Sequence, residues 1–414
     1  MKQSQLFTKT TKNIPKDELA KNAELLIRAG FIHKEMAGVY SLMPLGFRVI
    51  KNIKNIVAEE MEKIGSEEII MSTLQNKEIW QKTDRWDDEK VDVWFKSQLK
   101  NGNEVGFGWS HEEPITEMMK SFIVSYNDLP RFVHQFQNKL RNEIRAKSGI
   151  IRCREFIMKD MYAFCATDEE NMNFYNKTTE AYLKVFKRVG LGDITYVTSA
   201  SGGLFTDKFS HEFQTICETG EDIIYINKEK NIAVNKEIYN KENLEKMKME
   251  MKDFEEKKTA EVGNIFNFGT NKCEQMGLYF NDKDGSKKPV YLSSYGIGIT
   301  RLMGVLVDVH HDDKGIIWPG EVAPFDYHLI SLAKTDEEKK EAEKVYEKLK
   351  QIGKEVLFDD RTNKTAGEKF ADSDLIGIPV RLILSTKTLE AGGLEIKNRN
   401  ENESKIIKIG ELLH

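Results

Sequence analysis

At 414 residues the chain exceeds what one hydrophobic core usually supports, so two or more domains are expected. Hydrophobic residues at 40% and charged residues at 31% describe a soluble globular mixture, and no apolar run nears the roughly 20 residues of a membrane-spanning helix. A formal net charge of -5 excludes a protein that coats nucleic acid nonspecifically, although a local basic face could still bind RNA.

The start, Met1 to Lys16, is polar and Lys/Thr-rich with no apolar centre, so a cytoplasmic location is expected. Leu19, Ala23, Leu26 and Ile27 recur at helical spacing and predict a helix over 16–28, stopped by Gly30. Pro44 precedes a second helix over 45–64, with Val49, Ile53, Ile56, Val57 and Met61 on one stripe and Gly65 as terminator. A short β-branched strand follows at 68–71. Strands at 132–143 and 156–164 form an antiparallel pair around a loop holding Gly149, and helical spacing returns over 171–189. The stretch 227–258, dense in Lys and Glu, reads as a solvated helix or linker. Beyond Pro319 and Pro324 strands at 327–332, 355–358 and 380–384 alternate with helices at 337–352 and 367–376, which indicates a separate α/β domain. Cys153, Cys165, Cys217 and Cys273 are too widely spaced for a CxxC metal site and read as free thiols.

The segment with the most explicit chemistry is Arg141-Asn142-Glu143, followed by Arg152-Cys153-Arg154-Glu155-Phe156 and Asp160. It holds guanidinium groups for phosphate oxygens, a carboxylate for an amine and an aromatic face for adenine. Taken alone, it favours an ordinary antiparallel pair with surface ion pairs, which are common and weak. A second element, Gly296-Ile297-Gly298-Ile299-Thr300-Arg301-Leu302, tips the balance. In one chain the two resemble motifs 2 and 3 of the class II aminoacyl-tRNA synthetases. The segments 152–164, Ser210-His211-Glu212-Phe213, Tyr295 to Gly298 and Gly315 to Pro319 narrow the resemblance to prolyl-tRNA synthetases of the bacterial type. Phe358-Asp359-Asp360-Arg361, Phe370-Ala371-Asp372 and 375–381 look like that family's anticodon-binding domain.

The resemblance implies an α+β catalytic domain over 1–323, an antiparallel sheet flanked by helices, and an α/β anticodon-binding domain over 324–414. It implies ATP and Mg²⁺ as cofactors, proline and its tRNA as substrates, and a homodimer. Arg141 and Arg301 become the catalytic pair, and ATP binding falls to Arg141, Glu143, Arg152, Phe156 and Arg301. Proline binding falls to Ser110, Glu112, His211, Asn264 and Ser294, with Glu112 on the cationic ring nitrogen. Glu212 and Glu261 would hold Mg²⁺, and Arg145, Asp360, Arg361 and Lys369 would meet tRNA. Rival readings are a synthetase for threonine, serine or glycine, and a noncatalytic RNA-binding paralogue.

The chain departs from the family pattern at several positions. Ser72 stands where motif 1 ends in proline, Trp109 and Ser110 replace Pro-Thr, Asn264 replaces histidine, Ser294 replaces cysteine, and Thr206 and Asp207 replace a Gly-Gly. Only 227–258 stands where many relatives carry an editing insertion, so no editing in cis is expected, and a free-standing editing protein becomes a possible partner.

Overall fold

The computed structural model describes residues 1–14, 18–200, 210–230, 232–246 and 250–412. Thr206 and Asp207 lie outside the described residues. The chain divides into two compact units, one of residues 36–39 and 53–305, the other of residues 1–35, 40–52 and 306–414. Packing thus divides the chain differently from the single boundary expected between 323 and 324.

The first unit is built on a nine-stranded sheet of β1 (Glu67–Glu68), β2 (Arg131–Leu140), β3 (Glu155–Cys165), β4 (Thr195–Ala200), β5 (Ser210–Ile216), β6 (Asp222–Asn227), β7 (Ile232–Asn235), β8 (Glu255–Gly269) and β9 (Tyr291–Gly298). Their spatial order is β5-β4-β7-β6-β8-β9-β3-β2-β1, mostly antiparallel. β5 also pairs with β8, so five strands at one end close into a small ring. One register row crosses five of these strands: Gln135 lies opposite Asp160, Asp160 opposite Gly296, Gly296 opposite Asn264, and Asn264 opposite Glu212. Because side chains alternate along a strand, these residues share one face.

The other face is met by two long helices, one through Met61 and the other through Tyr182, both beside Lys159. α1 (Lys21–Arg28) and α2 (Pro44–Lys63) precede the sheet in the chain, and α2 buries Ile53, Ile56, Val57 and Met61 before Gly65, at φ +93°, ends it. α3 (Glu112–Met119) is short; α4 (Asp168–Arg188) is long and capped by Thr167, whose hydroxyl accepts from the Glu170 amide. Lys159 of β3 faces this layer fully buried, donating to the Tyr295 carbonyl and to Tyr182 of α4. Burial pushes its pKa well below the usual lysine range.

Several expectations shift. The helix over 16–28 begins at Lys21, and Leu19 is fully exposed. The strand over 68–71 contracts to Glu67–Glu68. The strand over 132–143 stops at Leu140, where the Arg141 amide turns to the Arg154 carbonyl and the Asn142 amide to the Val93 carbonyl. The charged stretch 227–258 is only in part the solvated helix or linker expected: among its described residues it holds a short helix (Lys241–Lys246), β7, the end of β6 and the start of β8. Ala233, Val234 and Leu244 are buried there, and many of the Lys and Glu residues are the outer positions of paired strands.

The second unit holds a five-stranded sheet of β10 (Tyr327–Ser331), β11 (Val356–Asp359), β12 (Val380–Leu384), β13 (Gly393–Asn398) and β14 (Lys405–Lys408), in the order β11-β10-β12-β13-β14. β10 runs parallel to both neighbours. The crossovers are α6 (Asp336–Gln351) and α7 (Ala366–Ile376), each opened by a capping box, Thr335 with Glu338 and Thr365 with Glu368. Lys2 bridges to Phe358 at the β11 edge, which is how the first residues come to pack with the last ninety.

Candidate active site

The open face of the sheet carries a cleft lined among others by Arg141, Glu143, Arg152, Phe156, Glu261 and Arg301. Residues 160 positions apart in the chain therefore share one cavity. Each cation is held from behind. The Arg141 Nε donates to the Trp109 carbonyl at 3.3 Å, and its guanidinium lies 5.2 Å from the centre of the Phe156 ring. Arg301, in the first turn of α5 (Ile299–Val309), donates to the carbonyls of Ile151 at 2.8 Å and Glu261 at 2.5 Å. Burial and the Arg301 charge lower the pKa of Arg141, the signature of two guanidiniums facing one space. An anion between them relieves that repulsion. Arg152 donates through Nε and Nη2 to one Glu143 oxygen, at 3.0 and 2.8 Å, and through Nη1 to Glu221 at 3.0 Å, tying these two residues together at the cleft.

Next along the sheet Glu112, at the start of α3, is buried at 2% exposure. Its Oε1 accepts from the Ser294 hydroxyl at 3.4 Å, and its Oε2 has no hydrogen-bond partner, with Arg85 at 3.6 Å as an ion pair. Ser110 is buried beside it, and its carbonyl accepts from Gln75 at 2.8 Å. Trp109 joins a cluster with Trp80 and Trp94, under the Arg85 guanidinium at 4.6 Å. Asn264 donates to Glu261 at 2.8 Å and borders the cleft.

The expectation for His211 is corrected. It sits one residue from Glu212 on β5, so it projects to the opposite face, where its Nδ1 meets the Tyr175 hydroxyl of α4 at 2.6 Å. Glu212 keeps the cleft side, accepting from Gln214 at 2.9 Å and Asn235 at 2.8 Å. Burial first, then the Glu261 charge, push its pKa up to about 8. Glu261 is likewise raised by burial, against the pull of Arg301. Two crowded carboxylates on one face fit Mg²⁺, which commonly takes one or two protein carboxylates and completes its shell with phosphates and water. Among the described residues no group of three or more His, Cys, Asp or Glu could hold a metal alone.

A second buried layer was not foreseen. Lys139, at 1% exposure, donates to His111 Nδ1 at 2.6 Å and pairs with Asp160 at 3.0 Å; Gln135 and Tyr162 each donate to the same Asp160 oxygen at 2.8 Å. Beside it Glu113 binds Arg85 at 2.9 Å and Lys272 at 2.8 Å, and anchors Arg85 over the tryptophans. The alternation Gln135, Gln137, Lys139 along one strand was the available signal, since a polar face this regular needs partners when buried.

Arg145, Asp360, Arg361 and Lys369 do not line this cleft. Arg145 is exposed on the loop after β2, beside Asn142 and Lys147. In the second unit Asp360, Arg361 and Lys369 border a cavity with Lys334, Lys364 and Lys387. Arg361 there pairs with Asp359 and Asp372, Lys369 is buried against the Ser331 carbonyl, and Asp360 accepts from Ser4 at 2.7 Å.

Comparison with known proteins agrees with this geometry. A family model described as the tRNA synthetase class II core domain (G, H, P, S and T) matches residues 94–310, and one described as an anticodon binding domain matches 326–414. The proline-tRNA ligase of Agrobacterium fabrum is 36% identical over 435 residues, covering 99% of this chain and 98% of its own. That of Rickettsia bellii is 37% identical over 425 residues, covering 99% and 96%. The solved prolyl-tRNA synthetase of Cryptosporidium parvum, complexed with halofuginone and AMPPNP, superposes with a TM-score of 0.78 at 18% identity, covering 95% of this chain and 75% of that one.

Proposed function

The chain belongs to the proline-tRNA ligases of the class II aminoacyl-tRNA synthetases, and from that premise we propose how its own residues divide the work. The observation that carries the proposal is the single cleft shared by Arg141, Phe156 and Arg301. ATP enters it with the adenine on Phe156, while Glu143 and Arg152 close over the nucleotide. Arg141 and Arg301 flank the α-phosphate. A proline carboxylate oxygen attacks the α-phosphorus, the bond to the β-phosphate oxygen breaks, and pyrophosphate leaves with its electron pair. No general base is needed, because the carboxylate is already ionised and the barrier falls through positioning and charge neutralisation. Mg²⁺ held by Glu212 and Glu261 with the phosphates would add to that neutralisation. In the second step a hydroxyl of the tRNA's terminal ribose attacks the carbonyl carbon of the adenylate, and AMP leaves.

The substrate's ring nitrogen sits at Glu112, whose Oε2, without a hydrogen bond though ion-paired with Arg85, supports this assignment, with Ser110, Ser294 and Asn264 around the ring. Arg145, exposed on its loop, meets the acceptor stem, and the lysine-rich cavity bordered by Asp360, Arg361 and Lys369 reads the anticodon. The enzyme works in the cytoplasm as a homodimer, which the exposed Ile70, Phe122 and Val124 support; light scattering at the monomer mass of 47.8 kDa would oppose this. It does not edit in cis, because the short strands within 227–258 are part of the main sheet rather than a separate hydrolytic pocket.

Pyrophosphate exchange across proline, alanine, cysteine and threonine tests the function. Proline should give the highest kcat/KM, and the same preparation should leave alanyl-tRNA at its buffer hydrolysis rate. Exchange with threonine alone, or with no amino acid, would overturn the ligase reading, and rapid deacylation the absence of editing.

A further inference from the structure

A secondary ammonium such as the ring nitrogen of proline carries two N–H donors, and Glu112 offers only one unbonded oxygen. We propose that Asp160 supplies the second acceptor, so that the ring nitrogen is held between two carboxylates rather than by Glu112 alone. This rests on the proline-ligase reading above.

Three observations support it. Asp160 is 3% exposed, and its two oxygens are used unequally: Oδ2 takes Lys139, Gln135 and Tyr162, whereas Oδ1 is buried with no partner. A charged oxygen left unbonded in a protein interior is costly, and a ligand, ion or water completes such atoms where native folds retain them. Second, Asp160 lies on the same face of β3 as Tyr162, which is opposite Ser294, the residue that donates to Glu112. Ser294 and Asp160 are thus diagonal neighbours, roughly 7–8 Å apart, close enough for one small ring to touch the groups on both. Third, the residue beside Asp160 in the row is Gly296, which borders the cleft. A Cβ added there would come within 2.7 Å of the Asn264 Oδ1, so only backbone floors the space between Asp160 and Asn264. Burial raises the Asp160 carboxyl, but the Lys139 charge and the Gln135 hydrogen bond hold it below its usual range, and His111, donating through Nε2 to the Ser72 carbonyl at 3.2 Å, accepts from Lys139 as a neutral ring.

The test is Asp160→Asn, which keeps the side chain's volume. Its amide oxygen takes the place of Oδ2, satisfying Lys139, Gln135 and Tyr162, and its NH2 then stands at Oδ1, donor against donor. Exchange kinetics should show the KM for proline raised at least tenfold with the KM for ATP within twofold of wild type. Cyclopentanecarboxylate, which lacks the nitrogen, should inhibit the variant and the wild type with inhibition constants within twofold. An unchanged KM for proline, equal rises in both KM values, or an inhibition constant that rises with the proline KM would each overturn the proposal and leave Asp160 a structural partner of Lys139. If Asp160→Asn does not fold, the pair Lys139→Met with Asp160→Asn removes the stranded buried cation and is read the same way. Absence of proline-dependent exchange in the wild-type chain would instead remove the function on which the inference rests.

Discussion

His111 and His328 are held uncharged by burial. His111 is pushed down to about 4, by burial first and then by Lys139; His328, bonded through Nε2 to Gln3 at 3.0 Å, is pushed down to about 3, by burial first. An unfolded histidine takes up its proton near pH 6.5. Between that pH and about 4 the unfolded chain therefore binds more protons than the folded one, and stability, complete above 6.5, is lost as pH falls. The apparent Tm should be lower at pH 5 than at pH 7.5, and His328→Gln, which cannot take a proton, should narrow the gap; an equal or higher Tm at pH 5 would contradict this. At this scale the grouping of Arg141, Phe156 and Arg301 was legible, because arginines and a phenylalanine in a fixed order carry the family resemblance. Lys139 and Arg85 were not, since a single lysine or arginine in a strand or loop reads as solvated until its burial is known. His211 was misplaced because parity along β5 decides which face a residue joins, and sequence shows the alternation without saying which side holds the ligand.

Among elements, the long helices and the β2–β3 pair were legible to within a few residues, since a stripe at helical spacing or a strand of ten residues states its own period. The strands inside the charged stretch were not. β7 has four residues and β8 starts with Glu-Glu-Lys-Lys, so composition over the whole window hides the apolar inner positions. Val234 of β7, opposite Tyr225 of β6, has no exposed surface. Val234→Ala should destabilise by about 1–3 kcal/mol, a fall in Tm of a few degrees. A thermal unfolding curve within one degree of wild type would restore the solvated-linker reading.

For the whole molecule, the catalytic claim depends on chain crossings that no local pattern reveals. Arg141 follows β2, Phe156 lies near the start of β3 and Arg301 in the first turn of α5, and pairing of β3 with β2 and β9 brings the three together. The resemblance supplied that juxtaposition in advance; periodicity alone supplied two strands, a loop and a helix. The division into two units was the least legible feature, because it depends on where residues 1–35 pack rather than on any boundary signal such as Pro324. The most direct measurement of the central claim is proline-dependent pyrophosphate exchange by Arg301→Ala, with folding checked by its Tm. Loss of kcat/KM on the order of 100-fold or more in a folded variant is the predicted result; exchange within a few-fold of wild type would show that Arg301 and Arg141 do not act on one phosphate.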